Sequence, residues 1–232
     1  MTKDGFLDVK TQTICSEVKR GDKTVVLENI RYPEFAAREP RYENLAAKMN
    51  RFYSDAAKRY SAYARTKLAR RAFSAVCRGL KPYGAVMNYN VSYCEGDFVS
   101  VVVDISGFDG EKSSCERVSH NWSAERRAVM PPSYFIDGKR TSKKYIEQYV
   151  LDTVRKNMKN PFFGYYGDAE KLAKRHLRAE NFYFVPKGAA FFINAGILCD
   201  EKYGPSVFVI PFDRADGVLK FVGTTDGAGT YA

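Results

Sequence analysis

An apolar and aromatic stretch near the C-terminal end, residues 181–212, constrains the fold of this chain more than any other feature. It contains three strand-like runs, Phe182–Val185, Ala190–Asn194 and Ser206–Pro211. Pro186-Lys187-Gly188, between the first two runs, is typical of a tight hairpin turn. Runs this apolar predict strands with a well-covered face, so the rest of the chain should pack around them. The side chains predicted to be buried on these strands are Phe191, Ile193, Val207 and Val209.

The N-terminal half contains further strand signals. Residues 6–20 alternate loosely and predict a first strand, and Lys23–Tyr32 predicts a second strand that stops at Pro33. Ala85–Cys94 and Phe98–Ser106 are rich in β-branched and aromatic residues and flank a three-residue turn that contains glycine. This arrangement predicts the clearest hairpin of the chain.

Between these strands, residues 41–77 have the periodicity of a long helix. Apolar residues recur there at steps of three and four, and Gly79 and Pro82 follow as stop signals. The opposite face is strongly basic, and its candidate binding residues are Lys58, Arg59, Arg65, Arg70 and Arg71. Two interpretations stay open at this point: an ordinary solvated helix face or a basic strip that binds an anionic partner.

Two shorter helices are predicted further along the chain, over residues 142–158 with Ser142 as N-cap and over 169–177 with Asp168 as N-cap. The loop between them, Pro161–Gly167, is unusually aromatic. The predicted fold is α+β, an antiparallel β-sheet packed against a long amphipathic basic helix and one or two shorter helices. We expect a single domain over residues 1–232, or two closely packed halves (1–82 and 83–222), with a flexible tail over 223–232.

The charge and the cysteines bear on the partner and the compartment. The formal net charge is +10, which permits binding to anionic partners without requiring it. Five widely spaced cysteines and an N-terminus without an apolar signal core predict reduced thiols and a cytoplasmic protein with no membrane span. A secreted parent whose leader had been removed would have the same sequence, so an extracellular location is the alternative.

Few residues of the chain suggest chemistry. His120 and Trp122 alternate on a predicted strand and are candidate binding residues; His120 could act as a base near Asp104. With two histidines and no C-x-x-C pair, we expect no metal site and no cofactor.

The order of several short motifs resembles the C-terminal region of RsiV-type anti-sigma factors, which is also found in PdaC-type peptidoglycan deacetylases. Tyr32-Pro33 followed by Met49-Asn50 resembles the family's "YP…IN" segment, and Phe98-Val99-Ser100 resembles its "lvS" strand. Asn121-Trp122 followed by Tyr134-Phe135 resembles "NfD…LxdlF". The closing segment "nFyl…GP..v.iP" is matched by Asn181-Phe182-Tyr183, Gly204-Pro205 and Ile210-Pro211-Phe212. The similarity covers most of residues 23–215.

The resemblance implies an α+β fold and a non-enzymatic recognition or sensor role, with a protein or an anionic glycan as partner. Known members sense or bind lysozyme, a strongly basic protein, and the charge of +10 on this chain opposes such an encounter. Lysozyme is therefore not the expected partner. The alternatives are an enzyme that acts on cell-wall or other polysaccharide through the neighbourhood of His120 and Asp104, and nucleic-acid association through the basic helix.

Overall fold

The computed structural model describes residues 5–220, so the predicted tail over 223–232 lies outside the described residues. The strands are β1 Leu7–Arg20, β2 Lys23–Ala37, β3 Tyr83–Glu95, β4 Phe98–Phe108, β5 Ser113–Ser123, β6 Ala128–Val129, β7 Phe182–Val185, β8 Gly188–Ile193 and β9 Ser206–Pro211. The helices are α1 Glu43–Tyr63, α2 Ala69–Cys77, α3 Pro132–Phe135, α4 Arg140–Met158 and α5 Ala169–His176. A π-helical turn, Ala64–Leu68, joins α1 to α2.

The strands form two sheets, and the predicted α+β fold is confirmed. Strands β1 to β6 lie side by side in sequence order, and β7, β8 and β9 form a separate antiparallel sheet. One pairing departs from the predicted antiparallel arrangement, because β2 and β3 run parallel over Val26–Ile30. Parallel neighbours require a long crossover connection, and here the helices α1 and α2 provide it.

The chain divides into two compact units. Within the described residues, the N-terminal unit comprises 5–90 and 103–117, and the C-terminal unit comprises 91–102 and 118–220. Strands β3, β4 and β5 contribute residues to both units. The expectation of one domain or two closely packed halves stays a prediction.

In the N-terminal unit, α1 and α2 pack on β2, with large side chains buried in the first half of α1 and small ones from Ala57 onward. The buried positions follow helical steps of three and four until Ala64, after which the next one, Ala69, comes five residues later. The π-helical turn absorbs that extra residue and keeps the small side chains on one face. These buried side chains are Ala57, Ser61, Ala64, Ala69, Ala72 and Ala75.

The prediction that Pro33 ends the second strand was wrong, since β2 continues to Ala37 and Pro33 pairs with Thr11. Strand β3 pairs with β2 only over Val26–Ile30. Two residues beyond Pro33, the N–H of Phe35 points to the side chain of Asn50 and not to a strand. Backbone N–H groups two residues apart in a strand point to the same side. An N–H at position 33 would therefore also point to this open edge of β2, where proline is tolerated because no strand pairing is lost.

In the C-terminal unit, the sheet β7–β8–β9 lies at the core, as the aromatic stretch predicted. Phe191 and Ile193 are buried as expected. The expected burial of Val207 and Val209 was wrong, because each is 38% exposed. In β9 the inward positions are the alternate ones, Phe208 and Ile210.

The predicted helix over residues 142–158 is present as α4, but Ser142 does not cap it. Lys139 occupies the N-cap position, and the Ser142 hydroxyl donates a hydrogen bond to the carbonyl oxygen of Gly217 at 2.9 Å. Asp168 is at the N-cap of α5 as predicted, although its side chain makes no capping hydrogen bond.

Candidate functional site

Four of the predicted binding residues, Lys58, Arg59, Arg70 and Arg71, form what we call the cationic strip of the N-terminal unit. All four side chains are exposed, on the side of α1 and α2 opposite the small buried residues. Among the cations of these helices, ion pairs within the described residues involve Arg51 and Arg65, and none involves a residue of the strip. The strip therefore presents positive charge to solvent, with no ion pair to a carboxylate among residues 5–220.

The π-helical turn aligns the two ends of the cationic strip. Lys58 and Arg70 are twelve residues apart, as are Arg59 and Arg71. In a regular α-helix, two side chains that are twelve residues apart point in directions that differ by about 120° around the helix axis. The turn at Ala64–Leu68 takes up one extra residue, so the offset falls to about 20°. The two pairs of cations thus share one face, about 16 Å apart along the helix axis.

Arg65, the fifth predicted cation, has a different role. It lies in the π-helical turn, and its Nη2 donates a hydrogen bond to Oε2 of Glu28 at 2.9 Å. The Glu28 side chain has no exposed surface, and the hydroxyls of Ser16 and Ser61 also donate to its carboxylate. Arg65 neutralises a buried charge on β2, which a sequence pattern of surface cations could not reveal.

The other two predicted binding residues, His120 and Trp122, lie on β5 in the C-terminal unit. Trp122 is only 4% exposed, so its ring contributes to the interior. Burial lowers the pKa of His120 to about 4, which leaves the imidazole neutral near pH 7. Binding at these two residues stays a prediction, and neither adds positive charge to a surface.

The acidic residue considered as a partner for His120 is already engaged. Both carboxylate oxygens of Asp104 accept hydrogen bonds from Arg117, at 2.7 and 2.8 Å, within the N-terminal unit. Among residues 5–220, no group of three or more His, Cys, Asp or Glu side chains could hold a metal ion. The five cysteines, all within residues 5–220, form no disulfide, and Cys15 and Cys77 are exposed; the expected reducing compartment stays a prediction.

Three polar residues of the motifs that suggested the family resemblance act on strand edges. Asn50 holds the open edge of β2 in the N-terminal unit: its amide accepts from the N–H of Phe35 at 2.6 Å and donates to the same residue's carbonyl at 2.9 Å. In the C-terminal unit, Ser100 accepts from the N–H of Phe184 at 3.0 Å, and Asn121 donates to the carbonyl of Phe182 at 2.9 Å. These side chains replace a missing neighbouring strand.

The Asn121 edge contact allows a stability test. We expect Asn121→Leu to lower the free energy of unfolding by about 2 kcal/mol, because buried polar groups lose their partners. The Ser100 hydroxyl would lose its acceptor at 2.6 Å, and the Phe182 carbonyl would lose one donor. Urea unfolding measures the change, and Asn88→Leu, at an exposed position, serves as control. Equal stability of the two variants would contradict the role given to Asn121.

A cleft of about 370 Å³ opens beside this edge of β7 in the C-terminal unit. Its walls are mainly apolar, with Ser119, Asn121 and Glu180 as the polar groups. The Ser119 hydroxyl and the Asn121 amide both donate to the Phe182 carbonyl, so the structural contact already occupies them. The cleft offers one exposed carboxylate, Glu180, and no pair of groups arranged for acid–base chemistry.

Sequence reasoning did not place one group of exposed aromatic side chains among the candidate site residues. Phe162 is 88% exposed, and Phe163, Tyr166 and Tyr203 also lie at the surface of the C-terminal unit. The signal was present in the aromatic loop Pro161–Gly167, but Tyr203 is nearly forty residues further along the chain. Only the tertiary structure brings it to this loop.

Comparisons with known proteins give the fold. No family model matches the chain, and no match was found among curated proteins. A DUF3298 family protein from Pseudomonas aeruginosa PAO1 is similar in structure, with a TM-score of 0.61 and 15% identity over 92% of this chain and 95% of that one. A DUF3298 family protein from Bacteroides fragilis is also similar, with a TM-score of 0.55 and 12% identity over 93% and 94%. In the described part of the chain, no helix is long and apolar enough to cross a membrane. At these identities the likeness concerns the fold alone: this chain shares its fold with solved proteins of the DUF3298 family.

Proposed function

We propose that this chain is a non-enzymatic recognition module, similar to the RsiV C-terminal region, which binds an anionic glycan through the cationic strip. The observation that carries the proposal is the alignment of Lys58 and Arg59 with Arg70 and Arg71 by the π-helical turn. Two pairs of exposed cations about 16 Å apart suit an extended polyanion better than a single small anion.

The choice of a glycan rests on two supports. The motif resemblance is to an extracellular region, where anionic polymers include the glycans of the cell wall. The overall charge of +10 favours any anionic polymer by long-range attraction. Nucleic acid is the second candidate, because Tyr63 and Phe73 are exposed on the same helices and exposed rings can stack on bases.

Binding to polygalacturonate, a polymer with one carboxylate per sugar, tests the proposal. We expect wild-type binding to weaken steeply as salt rises, because each paired charge releases a counterion. The variant Lys58→Gln/Arg59→Gln/Arg70→Gln/Arg71→Gln should bind at least about tenfold more weakly at low salt. Its slope of log affinity against log salt should fall by about 2 to 3, as four contacts are lost. Arg65 is left unchanged because Glu28 depends on it.

A matched control removes the same charge elsewhere. The substitutions Lys143→Gln, Lys144→Gln, Lys156→Gln and Lys171→Gln lie on exposed positions of α4 and α5 in the C-terminal unit. If this control weakens binding as much as the strip variant, net charge alone explains the affinity and the proposal fails. Fully methyl-esterified polygalacturonate, which carries no charge, should show no salt-dependent binding, and the strip variant should bind it as the wild type does. Tighter binding to double-stranded DNA than to polygalacturonate at equal salt would support the nucleic-acid candidate instead.

A further inference from the structure

Four side chains of the C-terminal unit, Phe162, Phe163, Tyr166 and Tyr203, form what we call the aromatic surface. Phe162 is 88% exposed, and the other three are between 39% and 47% exposed. Burying aromatic rings normally stabilises a soluble protein, so a group of rings left in water calls for a functional explanation.

The backbone that carries Phe162 is held firmly. Asn160 accepts the N–H of Phe162 at 3.0 Å with its side chain, and Pro161 restricts the start of the turn. Further on, Tyr165 pairs with Cys199 in an isolated bridge, and the N–H of Tyr166 donates to the carbonyl of Leu198 at 2.8 Å. The exposed rings therefore project from an anchored loop.

A second turn brings Tyr203 against this loop. The Asp200 side chain accepts the N–H of Lys202 at 3.0 Å and so fixes the turn Glu201–Tyr203. The Tyr203 ring lies so close to Gly164 that a Cβ on residue 164 would be 2.5 Å from its Cε2. Gly164 also has a φ of +58°, in the left-handed region that favours glycine. With the Tyr203 ring in this position, residue 164 has no room for a side chain.

The composition of the aromatic surface favours a sugar as its occupant. Three of the rings are partly covered and partly exposed to solvent, and two of the four carry a hydroxyl. The C–H bonds on one face of a pyranose are slightly positive and are attracted to the negative face of an aromatic ring. Lys202, whose Nζ is 5.2 Å from the centroid of the Tyr203 ring, and Lys159, at the C-cap of α4, add cations that match an acidic sugar.

We propose that the aromatic surface is a second glycan-binding site, on which pyranose rings stack while their acidic groups face Lys159 and Lys202. This deepens the proposed function, since it assigns the sugar rings and not only the charge of the glycan to a site. The two proposals can fail separately, because a neutral oligosaccharide tests stacking without involving the cationic strip.

The test is calorimetric titration of the full chain with hexamers of β-1,4-linked glucose, β-1,4-linked N-acetylglucosamine and α-1,4-linked galacturonate. We expect at least one hexamer to bind, and Phe162→Ala to weaken it by about tenfold. Phe162 is so exposed that its replacement should leave the unfolding temperature unchanged. Lys202→Gln should weaken binding of the galacturonate hexamer alone, because the other two hexamers have no acidic groups.

Tyr145→Ala, at a 38% exposed tyrosine of α4, is the matched control and should bind as the wild type does. The proposal is overturned if none of the three hexamers binds at millimolar concentration, or if Phe162→Ala and Tyr145→Ala have equal effects. It is also overturned if Phe162→Ala abolishes binding to anionic lipid vesicles while the hexamers bind both proteins alike. That result would identify the aromatic surface as a lipid contact.

Discussion

Replacing Gly188 with alanine is expected to lower the free energy of unfolding by about 3 kcal/mol or more. A Cβ on residue 188 would lie 2.2 Å from the carbonyl oxygen of Ile210 and 2.9 Å from Cα of Pro211. Both neighbours are backbone atoms of β9, so no side chain can turn away to make room. Strand β9 would have to separate from β8 at one end, where Gly188 pairs with Pro211.

The control for this prediction is Gly138→Ala, because nothing lies within 4 Å of a Cβ at that position. Its effect should stay within about 0.5 kcal/mol. Urea unfolding followed by circular dichroism compares both variants with the wild type. If Gly188→Ala were as stable as Gly138→Ala, the close approach of β8 and β9 would not exist in solution.

Gly188 also shows where sequence reasoning succeeded and where it could not. The motif Pro186-Lys187-Gly188 correctly predicted a hairpin. Strand β7 ends directly before this motif, and β8 begins at its last residue. The pattern suggested that glycine serves the turn, whereas Gly188 is the first residue of β8 and its role is to allow β9 to come close. Periodicity within one strand carries no information about the distance to another strand.

The same limit explains the error at Val207 and Val209. An apolar run predicts a strand, but a continuous run does not show which alternate positions face the core. In β9 the larger side chains, Phe208 and Ile210, are buried and the valines are outside. Pro33 is a related case, because whether a proline ends a strand depends on which edge lacks a neighbour, and that is a property of the sheet.

The motif resemblance predicted the fold for a physical reason. Asn50, Ser100 and Asn121 each supply hydrogen bonds to strand edges that lack a neighbouring strand. Motifs of this kind are requirements of the architecture, so a chain can match them while binding a different partner.

For the candidate sites, the sequence showed which residues are basic, but not how the structure arranges them. The sequence shows the helical spacing of the strip residues Lys58, Arg59, Arg70 and Arg71. Their alignment, however, depends on a π-helical turn that the pattern of basic residues did not suggest. The aromatic surface depends on a contact between Gly164 and Tyr203, far apart in sequence. Neither feature follows from local pattern alone.

Among the five predicted cations of the basic helix, Arg65→Gln is expected to be the most destabilising change, at about 3 kcal/mol. The variant leaves the carboxylate of Glu28, which has no exposed surface, with hydroxyl donors but without a counter-charge. Arg65 itself is 51% exposed, so the loss arises from the buried partner and not from desolvation of the arginine. Arg70→Gln, at an exposed cation of the strip, should change the free energy of unfolding by less than about 0.5 kcal/mol.

The double variant Glu28→Gln/Arg65→Gln separates a charge effect from a packing effect. It removes the buried carboxylate together with its counter-charge, so it should be more stable than Arg65→Gln alone by about 1 to 2 kcal/mol. If instead the losses in free energy of unfolding caused by Glu28→Gln and by Arg65→Gln simply add in the double variant, the ion pair contributes nothing to stability. Arg65 would then belong with the solvated cations of the strip. Urea unfolding should give non-additive stabilities for these variants and an unchanged stability for Arg70→Gln. This result would show that the basic helix face contains two kinds of arginine, one that holds the helix on β2 and others that are available to bind a partner.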